Sequence, residues 1–142
     1  MNQKISTLHS EGNYAEATRV GEKALEVAQK TYGDSHLNVA KSMNNLANLY
    51  LLQGKSRGEE AAGLYQKAIA IEEKILGKDH PDLADTLFNF EIIYVFLEQY
   101  DQAFPLLELA LSIKEKKLGK DHPSSLKIRQ ALEEVKTFQA RQ

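Results

Sequence analysis

The sequence predicts an all-α protein built from stacked antiparallel helix pairs, and three observations carry that prediction. Near-identical junctions recur along the chain: KTYGDSH at 30–36, KILGKDHP at 74–81 and KKLGKDHP at 116–123. Their glycines, Gly33, Gly77 and Gly119, lie 44 and then 42 residues apart, a period that accommodates two helices per stacked unit. No segment alternates apolar and polar residues with the β-branched enrichment of a strand, and the eight glycines and three prolines punctuate long helical stretches.

The elements follow in order. Met1 to Ser10 aligns with the second half of a first helix, so repeat one is expected to be partial and the chain to be a piece of a longer protein. Tyr14-Ala15-Glu16-Ala17 opens the next helix, expected over 15–31. Gly58-Glu59-Glu60-Ala61 and Tyr100-Asp101-Gln102-Ala103 open its counterparts, expected over 59–76 and 101–118. The first helices of the two full repeats are expected over 38–52 and 82–97, and a solvated closing helix over 125–138. One domain over 1–142 thus divides into a partial repeat (1–33), two full repeats (34–77 and 78–119) and a C-terminal capping helix (120–142). Two residues, Ser56-Arg57, account for the difference between 44 and 42. As an insertion in an inter-helix turn they cost little.

Punctuation and core are legible in each repeat. The glycine supplies the left-handed residue that closes a helix, and lysines in the last turn favour the negative end of its dipole. Asp34, Asp79 and Asp121 are expected to cap the next helix, with Pro81 and Pro123 in its first turn. Met43, Leu46, Ala47 and Tyr50, and then Leu87, Phe90 and Tyr94, face the core of the first helices. Ala61, Leu64, Tyr65, Ala68 and Ile69 do so in one second helix, and Ala103, Leu107, Ala110 and Leu111 in the next. Alanines allow close approach while the larger residues fill the space. Glu91 stands where Ala47 stands one repeat earlier, so wider packing is expected there. Pro105, near the start of its helix, is expected to introduce a bend.

Composition removes whole classes of function. Eighteen basic and twenty acidic side chains leave a net charge of −2, without the basic excess of a nucleic-acid surface. The absence of cysteine excludes disulfides, thiolate metal sites and cysteine nucleophiles. The longest apolar run, Ile92 to Leu97, is six residues, where a membrane helix needs roughly 20. The start, MNQKISTLHS, has no apolar stretch of the kind a secretion signal carries. A cytoplasmic protein with neither nucleic acid nor membrane among its partners is expected.

Leu46-Ala47-x-x-Tyr50, the spacing Ala61-x-x-x-Tyr65-x-x-Ala68 and the two-helix unit resemble tetratricopeptide repeats. The longer period, Asn44-Asn45-Leu46-Ala47 and the recurrent Leu-Gly-Lys-Asp-His-Pro link are similar to the 42-residue repeats of kinesin light chains. The resemblance covers nearly the whole chain. It implies a right-handed superhelical solenoid in which the first helix of each repeat lines a concave groove where peptides lie. The closing helix departs from the pattern: it keeps Leu132 and Val135 but has Arg129 where Met43 and Leu87 stand.

No catalytic constellation survives inspection. Gly54-Lys55-Ser56 matches the end of a phosphate-binding loop, but Leu49 stands where that loop needs its other glycine, inside a helix with no preceding strand. His36, His80 and His122 recur with the aspartates. Equivalent loops of stacked repeats lie on the order of 10 Å apart, whereas ligands of one metal ion all reach within about 2 Å of it. A loop-stabilising role is expected for each Asp-His, and His9 is isolated. There is no Gly-x-Ser-x-Gly or His-Glu-x-x-His. The pairs Glu59-Glu60, Glu72-Glu73 and Glu133-Glu134 diverge around a helix and are expected on solvated faces. No enzyme, cofactor or metal is expected.

The residues implied by the resemblance to line the groove are Lys41, Asn44, Asn45 and Asn48 in repeat two. In repeat three they are Asp85, Phe88, Asn89 and Ile92, with Val95 beyond, and the last helix adds Lys127, Gln130 and Glu134. An asparagine amide donates to one peptide group and accepts from the next, so the matched Asn45 and Asn89 suit a ligand backbone. Hydrogen bonding within the repeats is the alternative use. Two readings of function follow: a module binding a peptide segment or partner helix, or a scaffold segment of a larger signalling or regulatory protein that self-associates through open solenoid ends.

Overall fold

The structure is a computed structural model that describes residues 14–142. The expected partial helix at 1–10, with His9, lies outside the described residues. Among the described residues there are six α-helices and no strand: α1 (Tyr14–Tyr32), α2 (Leu37–Leu52), α3 (Gly58–Leu76), α4 (Pro81–Phe96), α5 (Tyr100–Leu118) and α6 (Pro123–Ala140). Every helix expected there forms, with ends within two residues of those expected. The Ser56-Arg57 insertion winds into a single 3-10 turn, Lys55–Arg57, before α3.

Gly33, Gly77 and Gly119 have φ of 85°, 91° and 94°, the left-handed region in which a Cβ is strained. The other half of the junction differs from expectation. The caps are the histidines, not Asp34, Asp79 and Asp121. His36, His80 and His122 have extended backbones, and each Nδ1 accepts from the backbone N–H two residues on: Asn38 at 3.0 Å, Asp82 at 3.0 Å and Ser124 at 3.1 Å. The physical reason is register. The helices start at Leu37, Pro81 and Pro123, so the histidine before each is the N-cap, and its ring nitrogen does the work of a serine or aspartate oxygen. Asp79 instead pairs with Lys116 at 2.8 Å, which holds its carboxyl below the usual range.

The chain forms two compact units, the first ending at Ile75 and the second spanning Leu76–Gln142. In the first, α1 packs on α2, and Ala28, Val39, Ala40, Met43, Ala68 and Ile71 join α1, α2 and α3 in one core. Gly21 lets α1 approach closely, since a Cβ there would stand 2.9 Å from Leu49 Cδ1. In the second unit α5 packs on both α4 and α6. Its core is Leu83, Leu87, Phe90, Ile93 and Tyr94 of α4, Leu107, Ala110 and Ile113 of α5, and Ile128 and Val135 of α6.

Two core assignments shift by part of a turn. Ile69 and Leu111 are half-buried, while Ile71 and Ile113 are buried, because the buried stripe continues three residues beyond Ala68 and Ala110. Glu72 is buried rather than solvated and accepts from Asn44 Nδ2 at 3.3 Å. Pro105 lies in the second turn of an unbroken α5.

Candidate functional site

α2 presents the first set of expected binding residues. Lys41 is exposed and Asn45 half-buried. Both line a cleft of about 370 Å³ between α1 and α2 with Asn38, Ser42, Thr31 and the exposed side chains of Val27 and Tyr32. Tyr32 stacks on His36 with ring centroids 4.5 Å apart. Asn44, half-buried, and Asn48, exposed, both bond to side chains of α3. The Asn44 amide donates to Glu72 and leaves its own buried Oδ1 without a partner, and Asn48 Oδ1 accepts from Tyr65 Oη at 2.7 Å. Burial pushes the Tyr65 hydroxyl up to about 12, so it remains a donor. The Asn45 side chain makes no hydrogen bond among the described residues.

α4 presents the second set. Asp85 Oδ1 holds the buried Lys114 ammonium of α5 at 2.9 Å. Phe88 is half-buried, with Lys127 Nζ of α6 5.3 Å from its ring centroid, a cation on an aromatic face. Asn89 is exposed, with no side-chain hydrogen bond among the described residues, and Ile92 is 47% exposed. Phe96 is 39% exposed and continues the row Phe88–Ile92 by another helical turn. Gln130 is exposed and donates to Glu134 at 3.5 Å. Glu91, between Phe90 and Ile92 in sequence, is buried.

Nothing in either set arranges a nucleophile beside a base. Among the described residues no three His, Asp or Glu side chains converge as a metal ion would require, and no helix is long and apolar enough to cross a membrane.

The model of the tetratricopeptide repeat family matches residues 1–58 and 55–116. The chain belongs to the tetratricopeptide repeat family. Solved structures agree. A kinesin-light-chain-type protein of Podosopora anserina with nearly identical TPR-like repeats superposes with a TM-score of 0.85 at 25% identity, as does a single-substitution variant of the same protein. In each case the match covers 97% of this chain and 64% of the other. BtubC (BKLC) from P. vanneervenii matches with a TM-score of 0.83 at 22% identity, over 96% of this chain and 54% of its own. The chain therefore spans less than two thirds of the length of these structures. No curated protein matches it by sequence.

In tetratricopeptide terms α2 and α4 are first helices, and such repeats are protein-interaction modules whose stacked surfaces receive partners. Three contributors to these surfaces were not expected. Phe96 was visible as the third member of an i, i+4, i+8 apolar row, and Val27 and Tyr32 as apolar residues in the last turns before a closing glycine. The burial of Lys114 carried no local sign, because an isolated lysine in an amphipathic helix reads as surface.

Proposed function

We propose that this tetratricopeptide chain binds a peptide segment or a partner helix with the first-helix residues of its repeats, over the register 34–77 and 78–119, without catalysis. One observation carries the reading. Asn45 and Asn89 occupy the same position 44 residues apart, and neither amide is used by hydrogen bonds among the described residues. Each can donate to and accept from an extended backbone. In the first unit Lys41 stands with Asn45. In the second, Asp85, Phe88, Asn89 and Ile92, with Lys127 and Gln130 of α6, offer an apolar anchor point within a mixed-charge rim. Asn44 and Asn48 brace the first set through their bonds to Glu72 and Tyr65 of α3. The chain resides in the cytoplasm on this reading, which imaging of a tagged chain checks.

The test is selection of a phage-displayed peptide library on the chain, followed by titration of the selected peptide. Phe88→Ala is expected to weaken binding by about 2 kcal/mol, as loss of an aromatic anchor does. Lys67→Ala is expected to change little, although Lys67 lines another cleft of about 420 Å³ among α1, α2 and α3. Binding that survives Phe88→Ala and is lost with Lys67→Ala overturns the assignment.

The scaffold reading is favoured by a different observation, the exposure of Leu118 and Leu126 on either side of the last junction, at 40% and 47%. Light scattering separates the two: a stable dimer at micromolar concentration supports self-association, and a monomer supports the open binding surface.

A further inference from the structure

Gly63 is a glycine that neither its backbone nor its packing requires. It lies inside α3, where glycine is a weaker helix former than alanine, and a Cβ added there would meet no atom within 4 Å beyond its own stretch of helix. At Gly21 of α1, by contrast, a Cβ would stand 2.9 Å from Leu49 Cδ1. The repeat does not impose it either, since Arg19 and Pro105 hold the equivalent positions of α1 and α5. What the missing side chain leaves open is the cleft of about 420 Å³ among α1, α2 and α3, a volume ordinary for a binding cleft. Leu25, Leu46, Tyr50 and Leu64 line it with apolar surface. Its rim is charged, and unevenly. The bonds Asn48–Tyr65 and Asn44–Glu72 set α3 antiparallel to α2, and Gln53–Thr18 with Gly21 beside Leu49 sets α1 likewise, so α1 and α3 run in the same direction. Glu22 and Glu60 therefore mark the Tyr50 end of the cleft and Lys67 the other. At the Tyr50 end one guanidinium serves two carboxylates. Arg57 lies 3.8 Å from the Tyr50 ring centroid and donates from Nε and Nη2 to Glu60 at 3.2 and 3.0 Å. Glu26, between the ends, is taken by Lys30 at 2.9 Å. Glu22 and Lys67 are left without an ion pair among the described residues.

We propose that this cleft receives one helix of a partner protein, with an acidic residue at i, apolar residues at i+3 and i+4, and a lysine or arginine at i+7. The apolar pair enters the space beside Gly63, in the manner of a helix laid in a groove. The basic residue meets Glu22, the carboxylate that Arg57 leaves over, and the acidic residue meets Lys67. From i to i+7 is two helical turns, about 10.5 Å, the same interval that separates Glu60 from Lys67 along α3. An acidic start and a basic finish also suit the partner helix's own dipole, so it lies antiparallel to α1 and α3. Charges matched in this way set orientation and reject partners of the reverse order more than they add affinity. The surface uses the flanks of α1 and α3 and none of Asn45, Phe88 or Asn89. It is therefore additional to peptide binding by the first helices and stands whether or not that occurs.

A phage-displayed library of helical peptides tests it. The library is selected on the full chain carrying Phe88→Ala, which removes the anchor of the first-helix face. It is then depleted on the same chain with Gly63→Phe added, whose ring fills the cleft. Peptides with the acidic, apolar and basic order are expected to be enriched. In titrations with a synthesised enriched peptide, Gly63→Phe is expected to weaken binding by at least about tenfold. Lys67→Glu is expected to weaken it about fivefold, and a peptide with lysine in place of its acidic residue is expected to restore binding to that variant. Thermal unfolding checks that Gly63→Phe folds; if it does not, Lys67→Glu at its exposed position serves for the depletion instead. Gly63→Ala is expected to raise the midpoint of thermal unfolding, because alanine is the better helix former and nothing stands in its way. The proposal is overturned if no peptide separates the open cleft from the altered one, if the enriched peptides lack the charge pair, or if the reversed peptide fails to rescue Lys67→Glu. A lower midpoint for Gly63→Ala, which would show that packing requires the glycine, also overturns it.

Discussion

α2 and α4 are the same element twice, and their differences show what a repeat holds constant. Both run 16 residues, both start at a histidine cap, and both bury a tyrosine in the last turn, Tyr50 at 7% and Tyr94 at 8% exposure. Between those fixed points the chemistry is exchanged in matched pairs. In the first unit Asn48 of α2 meets Tyr65 of α3 through a hydrogen bond, whereas the corresponding residues of the second unit are Ile92 and the buried Leu107. Glu72 of α3 and Lys114 of α5 hold equivalent positions, both 6% exposed, with opposite charge and different partners, Asn44 and Asp85. Backbone geometry is preserved by caps and core volume, while the polar interior is renegotiated pair by pair. A single-residue exchange would strand a donor, an acceptor or a charge, at a cost of about 1–3 kcal/mol.

The strongest way to break this comparison is through the tyrosines. If the two units are equivalent at this position, Tyr50→Ala and Tyr94→Ala each cost roughly 3–5 kcal/mol, the usual range for a buried aromatic. Urea denaturation of each variant measures it. Tyr94 loses its contact with Phe90, whose ring centroid is 4.8 Å away, and Tyr50 loses the Arg57 guanidinium 3.8 Å from its ring centroid. A cost near zero at either site ends the equivalence.

The exchanged pair gives a smaller and more specific effect. A double-mutant cycle over Asn48→Ala and Tyr65→Phe is expected to return a coupling of about 0.5–1.5 kcal/mol, the net worth of one hydrogen bond. The same cycle over Ile92→Ala and Leu107→Ala, where no hydrogen bond joins the pair, is expected to show additive losses beyond their shared packing. Equal couplings would mean that the swap carries no polar content.

The caps come last in size. His36→Ala and His80→Ala are each expected to cost about 1 kcal/mol, as N-cap truncations do, and His80→Asn is expected to recover most of the loss because its side-chain oxygen takes the place of Nδ1. Thermal unfolding of the three variants reads this. Stoichiometric zinc in the purified protein, lost with His80→Ala, would contradict a purely capping histidine.

Much of this was legible in the linear sequence. The helix ends followed from Gly33, Gly77, Gly119, Pro81 and Pro123, because a left-handed residue and a missing N–H act within one turn of themselves. The buried tyrosines and alanines followed from helical spacing, since one face of each helix has to leave water. The whole period followed from repetition. Local chemistry of this kind needs no knowledge of what lies across the core.

The roles that depend on a partner helix were decided only by the tertiary structure. Asp and His were both able to cap, and the register of the helix start chose the histidine ring at 36, 80 and 122, with or without a proline at N1. Asn44, Asn45 and Asn48 read alike in sequence, yet Glu72 and Tyr65 of α3 bond to the first and third and leave the half-buried amide of the second unused. Glu91 is the clearest case. Its one-letter context is that of a surface carboxylate, and only the packed structure buries it and so pushes its carboxyl up to about 7. The energy of a polar side chain is fixed by the water it loses and the partner it finds. Both are properties of the packed structure.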